Sequence, residues 1–376
     1  MKTKVTNSTK RVLSLVVAIV MLVGTLFTAN VGVSVTTDAA QATVSFTSSE
    51  VIFRDNNEAA ADTSFITDGS YAGTEADPYI ISTVEHLLAI AQCSSDYTNK
   101  YFKVKDGIKV ISLQSEYSLR KSMNMSDNIA ALNAFIDLED VTAVKNYFAN
   151  ATSKYSWRSN NGTSFNGNID FNGATIVGMY GIHGGLITNV GPNASFKNVS
   201  VKNSYVTPDY TSGALIGRVY YDKISATTGT VKIENVEVGN CYVETTADNH
   251  YVGALLGRIY EHNANIGLHI NNCIVYGNEV YSTTNNRACL LGTMSNVGST
   301  DKTATTYFMM ENTVAIGCIP YWTNTNSTAA QAGRPAHFTN VYTDKFDEFK
   351  PYYTFIGSVD SVASWAGHVD SISADN

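Results

Sequence analysis

The sequence predicts an all-β protein built as a parallel β-helix, and three features of the stretch from Gly213 to Val280 predict it. One pattern is written twice: SGALIGRVYYD then VKIENVEVGNCYV, and VGALLGRIYEH then LHINNCIVYGNEV. Gly213 and Gly253 stand 40 residues apart, Asn235 and Asn272 stand 37 apart, and a period of about 20–50 residues marks a solenoid or array. Fainter copies on both sides bring like residues into columns. Leu186, Leu215, Leu255 and Leu290 share one, and Val190, Val219, Ile259 and Met294 another. Phe196, Ile233, Ile270, Met310 and Phe338 form a third, followed two residues on by Asn198, Asn235, Asn272, Asn312 and Asn340. Finally, apolar residues alternate within each half: Val231 and Ile233 face one way, Lys232 and Glu234 the other, as in a half-buried strand. The phase resets at Asn235. Asn203, Asn240, Gly277 and Gly317, residues tolerant of a left-handed backbone, suit a second corner. Three strands and two corners, about 28–40 residues in all, describe one coil. Like residues then stack about 4.8 Å apart, and the asparagine column becomes a ladder of side-chain amides. An antiparallel sandwich gives no reason for in-phase columns.

In chain order, residues 1–42 read as a cleaved export leader. Lys2, Lys4, Lys10 and Arg11 form the basic region, Val12 to Phe27 the apolar region, and Ala40-Gln41-Ala42 the cleavage site. The apolar run falls short of the ~20 residues that span a bilayer, so no membrane insertion is expected once the leader is removed. The destination is extracellular or cell-surface. Beyond the leader stand 21 basic and 32 acidic residues, a net charge of −11. That balance argues against nucleic acid or an anionic membrane as partner. The remaining organisation is an N-terminal cap, first coils and helical insertion over 43–160, repeats over 161–345, and a C-terminal cap or tail over 346–376.

From Asp68, Gly, Asp and Pro punctuate a loop; Ser82 and Glu85 then stand as a capping box before Leu87, Leu88, Ile90 and Ala91. This short amphipathic helix is expected to cover the open end of the solenoid, where core and strand edges would otherwise be bare. Tyr101 to Leu113 alternates as a strand pair. Residues 122–150 break the β pattern: Ser126 can cap a helix carrying Ile129, Leu132 and Ile136, and a second begins near Asp140 with Val144, Tyr147 and Phe148 on its apolar side.

The tetrads Ala214-Leu215-Ile216-Gly217, Ala254-Leu255-Leu256-Gly257 and Cys289-Leu290-Leu291-Gly292 resemble the GLUG motif (Gly-Leu-apolar-Gly) of secreted bacterial repeat proteins. Here Ala or Cys replaces the first Gly. The segment DGSYAGTEADPYII looks like the family's opening strand, and Phe165, Gly167, Asp170, Asn172, Gly173, Ile176 and Gly178 match its Phe-x-Gly coil, with Phe171 in place of a glycine. The resemblance, over roughly residues 67–342, implies a right-handed, pectate-lyase-like β-helix and an adhesin-like protein with no assigned chemistry.

The chain has five cysteines, an odd number with no paired framework or zinc spacing, and they fit buried small hydrophobes. After Asn340 the repeat fades into a tail with scattered aromatics. Catalytic candidates are thin. Asp209, Asp222, Asp248 and Glu261 lie between coils without sharing a column, and Asp170 reads as a turn residue. His183, His250, His262, His269 and His337 are dispersed, His269 in the outward column of Lys232. No catalytic residue, metal site or cofactor is assigned. One constellation exceeds the needs of packing. Arg218-Val219-Tyr220 and Arg258-Ile259-Tyr260 place Arg over Arg and Tyr over Tyr, with Tyr221 and His262 next door. Aromatic faces flanked by planar Arg donors can stack on sugars and bond their hydroxyls; an ordinary cross-strand ladder, with the arginines paired to Asp222 or Glu261, is the plainer reading. The sequence therefore points to a secreted or surface-displayed binding protein for a glycan or extracellular protein. A carbohydrate-active enzyme (polysaccharide lyase or glycoside hydrolase) and a structural spacer are the alternatives.

Overall fold

Every strand pairing among the described residues is parallel. The computed structural model describes residues 46–55, 60–92, 97–138, 140–151, 155–159, 163–207, 211–220, 228–245, 250–260, 265–282, 287–288, 290–295, 308–316, 336–343 and 369–371. They form a mostly-β body with long parallel sheets and few helices. The chain visits three sheets in rotation. Ile187–Val190, Ile216–Val219, Leu256–Tyr260 and Leu291–Ser295 pair in a four-stranded "arginine sheet". Ser195–Lys202, Thr228–Gly239, Asn265–Asn271 with Ile274–Tyr276, and Phe308–Ile316 belong to a thirteen-stranded "long sheet". Ser156–Trp157, Tyr180–Gly181, Tyr205–Val206, Tyr242–Thr245 and Glu279–Ser282 make a five-stranded "tyrosine sheet".

The columns read from the sequence are the registers of these sheets. Phe196, Ile233, Ile270, Met310 and Phe338 pair in succession, and Ile169 and Phe102 continue the column toward the N-terminus. Val190, Val219, Ile259 and Met294 do the same in the arginine sheet. The inward members Phe102, Ile169, Phe196, Ile233, Ile270, Val190, Val219 and Ile259 are buried in one continuous core, each contributing roughly 1.5–3 kcal/mol by leaving water.

The corners explain the asparagines. Asn198, Asn235, Asn272 and Asn312 have φ of 60°, 55°, 53° and 48°, and at the second corner Asn203, Asn240 and Gly277 have φ of 47°, 53° and 61°. A left-handed backbone costs most residues about 1–2 kcal/mol, and Asn and Gly least. The long strand Thr228–Gly239 bends at Asn235 while pairing on both sides of it.

The side chains form the expected ladder over part of its length. Asn272 Nδ2 donates to Asn235 Oδ1 at 2.7 Å, Asn235 Nδ2 to Asn198 Oδ1 at 2.8 Å, and Asn198 Nδ2 to Asp170 Oδ1 at 2.9 Å. Asn312 departs from it: its amide donates to Asn271, not Asn272, at 3.1 Å. Asn271 is the outward residue just before the corner, in register with Glu311, so Asn312 reaches back diagonally. Asn340 lies in the strand Ala336–Thr343, and its side chain is outside the described residues. Asn272→Leu is expected to lose both the amide bond and the tolerated left-handed corner, at about 2–3 kcal/mol. Asn272→Gly keeps the corner and should lose about 1 kcal/mol. Equal denaturant midpoints for the two variants and the wild type would remove the ladder as a stabilising element.

The tetrad glycines are demanded by close backbone approach. A Cβ on Gly217 would lie 2.6 Å from Thr188 O, and one on Gly292 2.3 Å from Gly257 O. Successive tetrads stack backbone against backbone, which leaves no room for a side chain.

Among the described residues five α-helices interrupt the β structure: α1 (Ser64–Thr67), α2 (Val84–Gln92), α3 (Glu116–Met123), α4 (Asn128–Ile136) and α5 (Val141–Asn150). In α2, Val84, Leu87, Leu88, Ala89, Ile90 and Ala91 join the main core beside Tyr79–Ile81, whose one strand partner among the described residues is Tyr101–Val104. The capping residues shift by one from expectation. Thr83 Oγ1, not Ser82, accepts from His86 N at 3.2 Å, and His86 Nδ1 takes the reciprocal place assigned to Glu85, accepting from Ser82 N at 3.3 Å. Tyr101–Val104 and Val110–Ser115 do not pair with each other. The chain turns a corner between them, and each pairs with strands of neighbouring passes.

The cap of α4 is Asp127, which accepts from Ala130 N at 2.7 Å, rather than Ser126; α5 begins beside Asp140 as expected, and Asp140 caps it. α3, capped by Ser115, was not legible. Together α3–α5 bury Leu119, Leu132, Phe135, Val144 and Phe148 against Val110, Val177, Tyr180 and Tyr205 on one flank of the sheets. The fully buried Gln114 fastens this flank, donating to Gly178 O at 2.8 Å and accepting from Tyr155 N at 3.1 Å. At the other end Val369–Ser371 pairs with Ala336–Thr343; the aromatics of the tail lie outside the described residues.

Candidate functional site

One column of the arginine sheet runs Asn189, Arg218, Arg258 in register, and the backbone of Thr293 continues it. It exists because Arg218 and Arg258 sit between inward residues: Ile216, Val219, Leu256 and Ile259 are all buried. Both arginines are half-buried. The Arg218 guanidinium lies 4.2 Å from the centroid of Tyr220, two residues along the chain and just past the end of its strand. Arg258 lies 4.6 Å from the ring of Tyr251. Each such stack contributes about 0.5–1 kcal/mol where solvent reaches it. Arg218 Nε donates to Asn189 Oδ1 at 2.7 Å, which fixes the amide's orientation because Nε has only a proton to offer. Asn189 is 1% exposed, and its Nδ2 has no hydrogen-bond partner. A buried, unmatched donor costs about 1–3 kcal/mol.

The expected Arg-over-Arg register is therefore present, and a ring not foreseen, Tyr251, lies against Arg258. Tyr251 underlies Arg258; Tyr260 pairs through its backbone with Ser295, and its side chain is outside the described residues. Tyr221 and His262 also lie outside them, as do Asp209, Asp222, Asp248 and Glu261. Asn189 and Tyr251 were missed. Asn189 was in reach, since it stands between the column residues Leu186 and Val190; Tyr251 precedes the repeat and shares no column.

Three further polar constellations are structural. Asp170 behaves as a turn residue, accepting from Asn172 N at 2.8 Å and facing Lys197 at 3.4 Å. His269, expected to be solvated, is instead half-buried and bonded to Glu311 at 3.0 Å, because the register sets Glu311 two residues beyond His269's partner Met309, on the same side of the neighbouring strand. Glu237, unforeseen, is 5% exposed and accepts from Lys202 Nζ (2.8 Å), Ser200 Oγ (2.5 Å) and Tyr276 Oη (2.8 Å). Burial alone would raise its pKa, but the Lys202 charge and these three donors outweigh burial and hold the carboxyl below its ordinary value. Burial and the Glu237 carboxylate push the Tyr276 phenol up.

Tyr180, Tyr205 and Tyr242 stack ring on ring in the tyrosine sheet, with centroids 5.9 and 4.9 Å apart. Phe148 of α5 stacks on Tyr180 at 5.8 Å, and Lys145 lies 4.3 Å over Tyr242. This aromatic column is where the helical flank docks. Cys241 and Cys273 are free and fully buried, and burial pushes both thiols up to about 12. Among the described residues, no group of three or more His, Cys, Asp or Glu could hold a metal ion, and no helix is long and apolar enough to cross a membrane.

No protein-family model matches the chain, and no characterised protein or solved structure is significantly similar to it. The class defined by the coordinates alone is that of a mostly-β protein with long parallel sheets.

Proposed function

We propose that the protein is a secreted or surface-displayed binding protein folded as a right-handed parallel β-helix, and that the arginine sheet presents its ligand site for a glycan. The rotation of the chain through three parallel sheets and the left-handed Asn and Gly corners support the β-helix. The right hand follows from the strong preference of parallel crossovers. The basic, apolar and small-residue segments of 1–42 support export. The observation that carries binding is the register of Arg218 with Arg258, each guanidinium seated on a tyrosine. Planar donors beside aromatic rings suit the hydroxyls and C–H faces of sugars.

The test starts from a glycan array probed with the protein, followed by the double variant Tyr220→Ser/Tyr251→Ser. Both rings lie outside the core, so stability should fall by only about 1–2 kcal/mol, the worth of two cation–π contacts. Affinity for the array ligand should fall more than about tenfold, since aromatic anchors carry much of recognition energy. Retained affinity alongside a lowered melting temperature would make the Arg/Tyr column a purely structural ladder.

A further inference from the structure

We infer that Ser164 and Asn189 position Arg218 through one buried water molecule held between them. The inference rests on the ligand-site reading above, which makes Arg218 one of the groups that meet the ligand. Its ground is the orientation of a single amide. Arg218 Nε donates to Asn189 Oδ1 at 2.7 Å, and Arg218 belongs to the pass that follows Asn189 in the sheet. With Oδ1 turned toward that pass, the planar amide turns Nδ2 away from it, toward the pass before. Ser164 stands there. Phe165 pairs with Val190, its N–H donating to Asn189 O at 2.9 Å and its carbonyl accepting from Gly191 N at 2.6 Å. Ser164 and Asn189, each one residue earlier, are therefore side-by-side neighbours. Both side chains leave the strand on the face opposite Phe165 and Val190, which lie in the main core.

The second observation is that both polar ends are buried and unmatched. Ser164 is 0% exposed and Asn189 1%, and neither Ser164 Oγ nor Asn189 Nδ2 has a hydrogen-bond partner. Neighbours on passes about 4.8 Å apart that do not bond directly are spaced for one bridging water. Buried waters take such otherwise unmatched groups as their partners. The water accepts from Asn189 Nδ2 and donates to Ser164 Oγ, which completes both side chains. Its effect reaches the arginine. An amide anchored at Nδ2 cannot turn its oxygen away from Arg218 Nε, so the guanidinium is steadied at one edge while its face rests on Tyr220. Ser164 meets no ligand in this arrangement; it is a positioning residue acting through Asn189.

The experiment joins a high-resolution crystal structure of the full chain to NMR of its arginine side chains. Density is expected for a water within hydrogen-bonding distance of both Ser164 Oγ and Asn189 Nδ2. A dry gap, or a direct bond between the two side chains, overturns the inference. The Arg218 Nε–H signal, assigned by its loss in Arg218→Lys, should exchange slowly with solvent in the wild type. In Ser164→Ala it should exchange about tenfold faster, because opening at the amide is no longer resisted. Affinity for the array ligand should fall about three- to tenfold in that variant, the equivalent of one lost hydrogen bond. Ser164→Thr keeps the hydroxyl and should keep slow exchange, with affinity within about twofold of the wild type. A lowered melting temperature in Ser164→Ala with exchange and affinity unmoved makes the pair merely structural and overturns the positioning role. If no glycan binds, the reading of this face as a glycan site fails by itself. Exchange at Arg218 then decides the relay: dependence on the Ser164 hydroxyl upholds it, and indifference overturns it.

Discussion

Gly257→Ala is expected to destabilise the protein by more than about 3 kcal/mol, the upper range for overpacking, because nothing nearby can yield. A Cβ at Gly257 would lie 2.5 Å from both Gly217 O and Ser212 O. These are backbone atoms on an adjacent pass, fixed by the parallel pairing of Ile216 with Leu256 and Val219 with Ile259. Relief requires the passes to separate, and the close-packed core on the inner side of the same strands resists that. Gly107→Ala is the control. Gly107, unlike Gly257, has a left-handed φ, 86°, and no atom lies within 4 Å of its Cβ position, so strain alone should cost about 1 kcal/mol. Urea titration of the two variants separates close approach from backbone conformation. A Gly257→Ala midpoint no lower than that of Gly107→Ala would show that the passes are not held at the observed spacing.

The second large effect is expected from Lys202→Met. Methionine preserves much of the stem but removes the cation from Glu237, leaving a nearly buried carboxylate with two hydroxyl donors. Breaking a buried pair costs about 3–5 kcal/mol; the Lys202 side chain is 27% exposed, so the lower end, about 3 kcal/mol, is expected. The pH dependence gives the sign. In the wild type the Glu237 carboxyl is held below its ordinary value of 4.5. Its contribution is therefore fully present above that value and is lost as pH falls through it toward the folded-state pKa. In the variant, burial is no longer opposed by the lysine, so the carboxyl is raised relative to the wild type. The destabilisation should then be largest near neutrality and shrink on acidification, as Glu237 takes up a proton. A stability difference independent of pH between 7 and 4 would rule out the ion pair as its source.

The repeat was legible because its residues answer to periodic constraints. Phe196, Ile233 and Ile270 must be apolar to fill one column, and Asn198, Asn235 and Asn272 must tolerate a left-handed corner, so each shows itself by recurrence. The residues that escaped notice answer to single events. Thr83 caps α2 where Ser82 was expected, Asp127 replaces Ser126, and α3 arises within a segment that contributes no column. Glu237 is hidden for another reason: its partners Ser200 and Lys202 come from the pass before it and Tyr276 from the pass after it, and pairing across passes is visible only once the register is known. The candidate site was half legible. Arg218 and Arg258 recur and were found; Asn189 and Tyr251 break the recurrence and were not.

The asparagine ladder bears on how such a chain can change its length over evolutionary time. Asn198 and Asn235 each accept from the next pass and donate to the previous one, and the series closes on the acceptor-only carboxylate of Asp170. Every intermediate rung is therefore chemically interchangeable. The intervals from Phe196 to Ile233 and from Ile233 to Ile270 are both 37 residues. A tandem duplication of one interval would add a rung whose donor and acceptor are both already matched, together with another member of each apolar column. The gene can thus lengthen or shorten by whole passes without inventing a new corner.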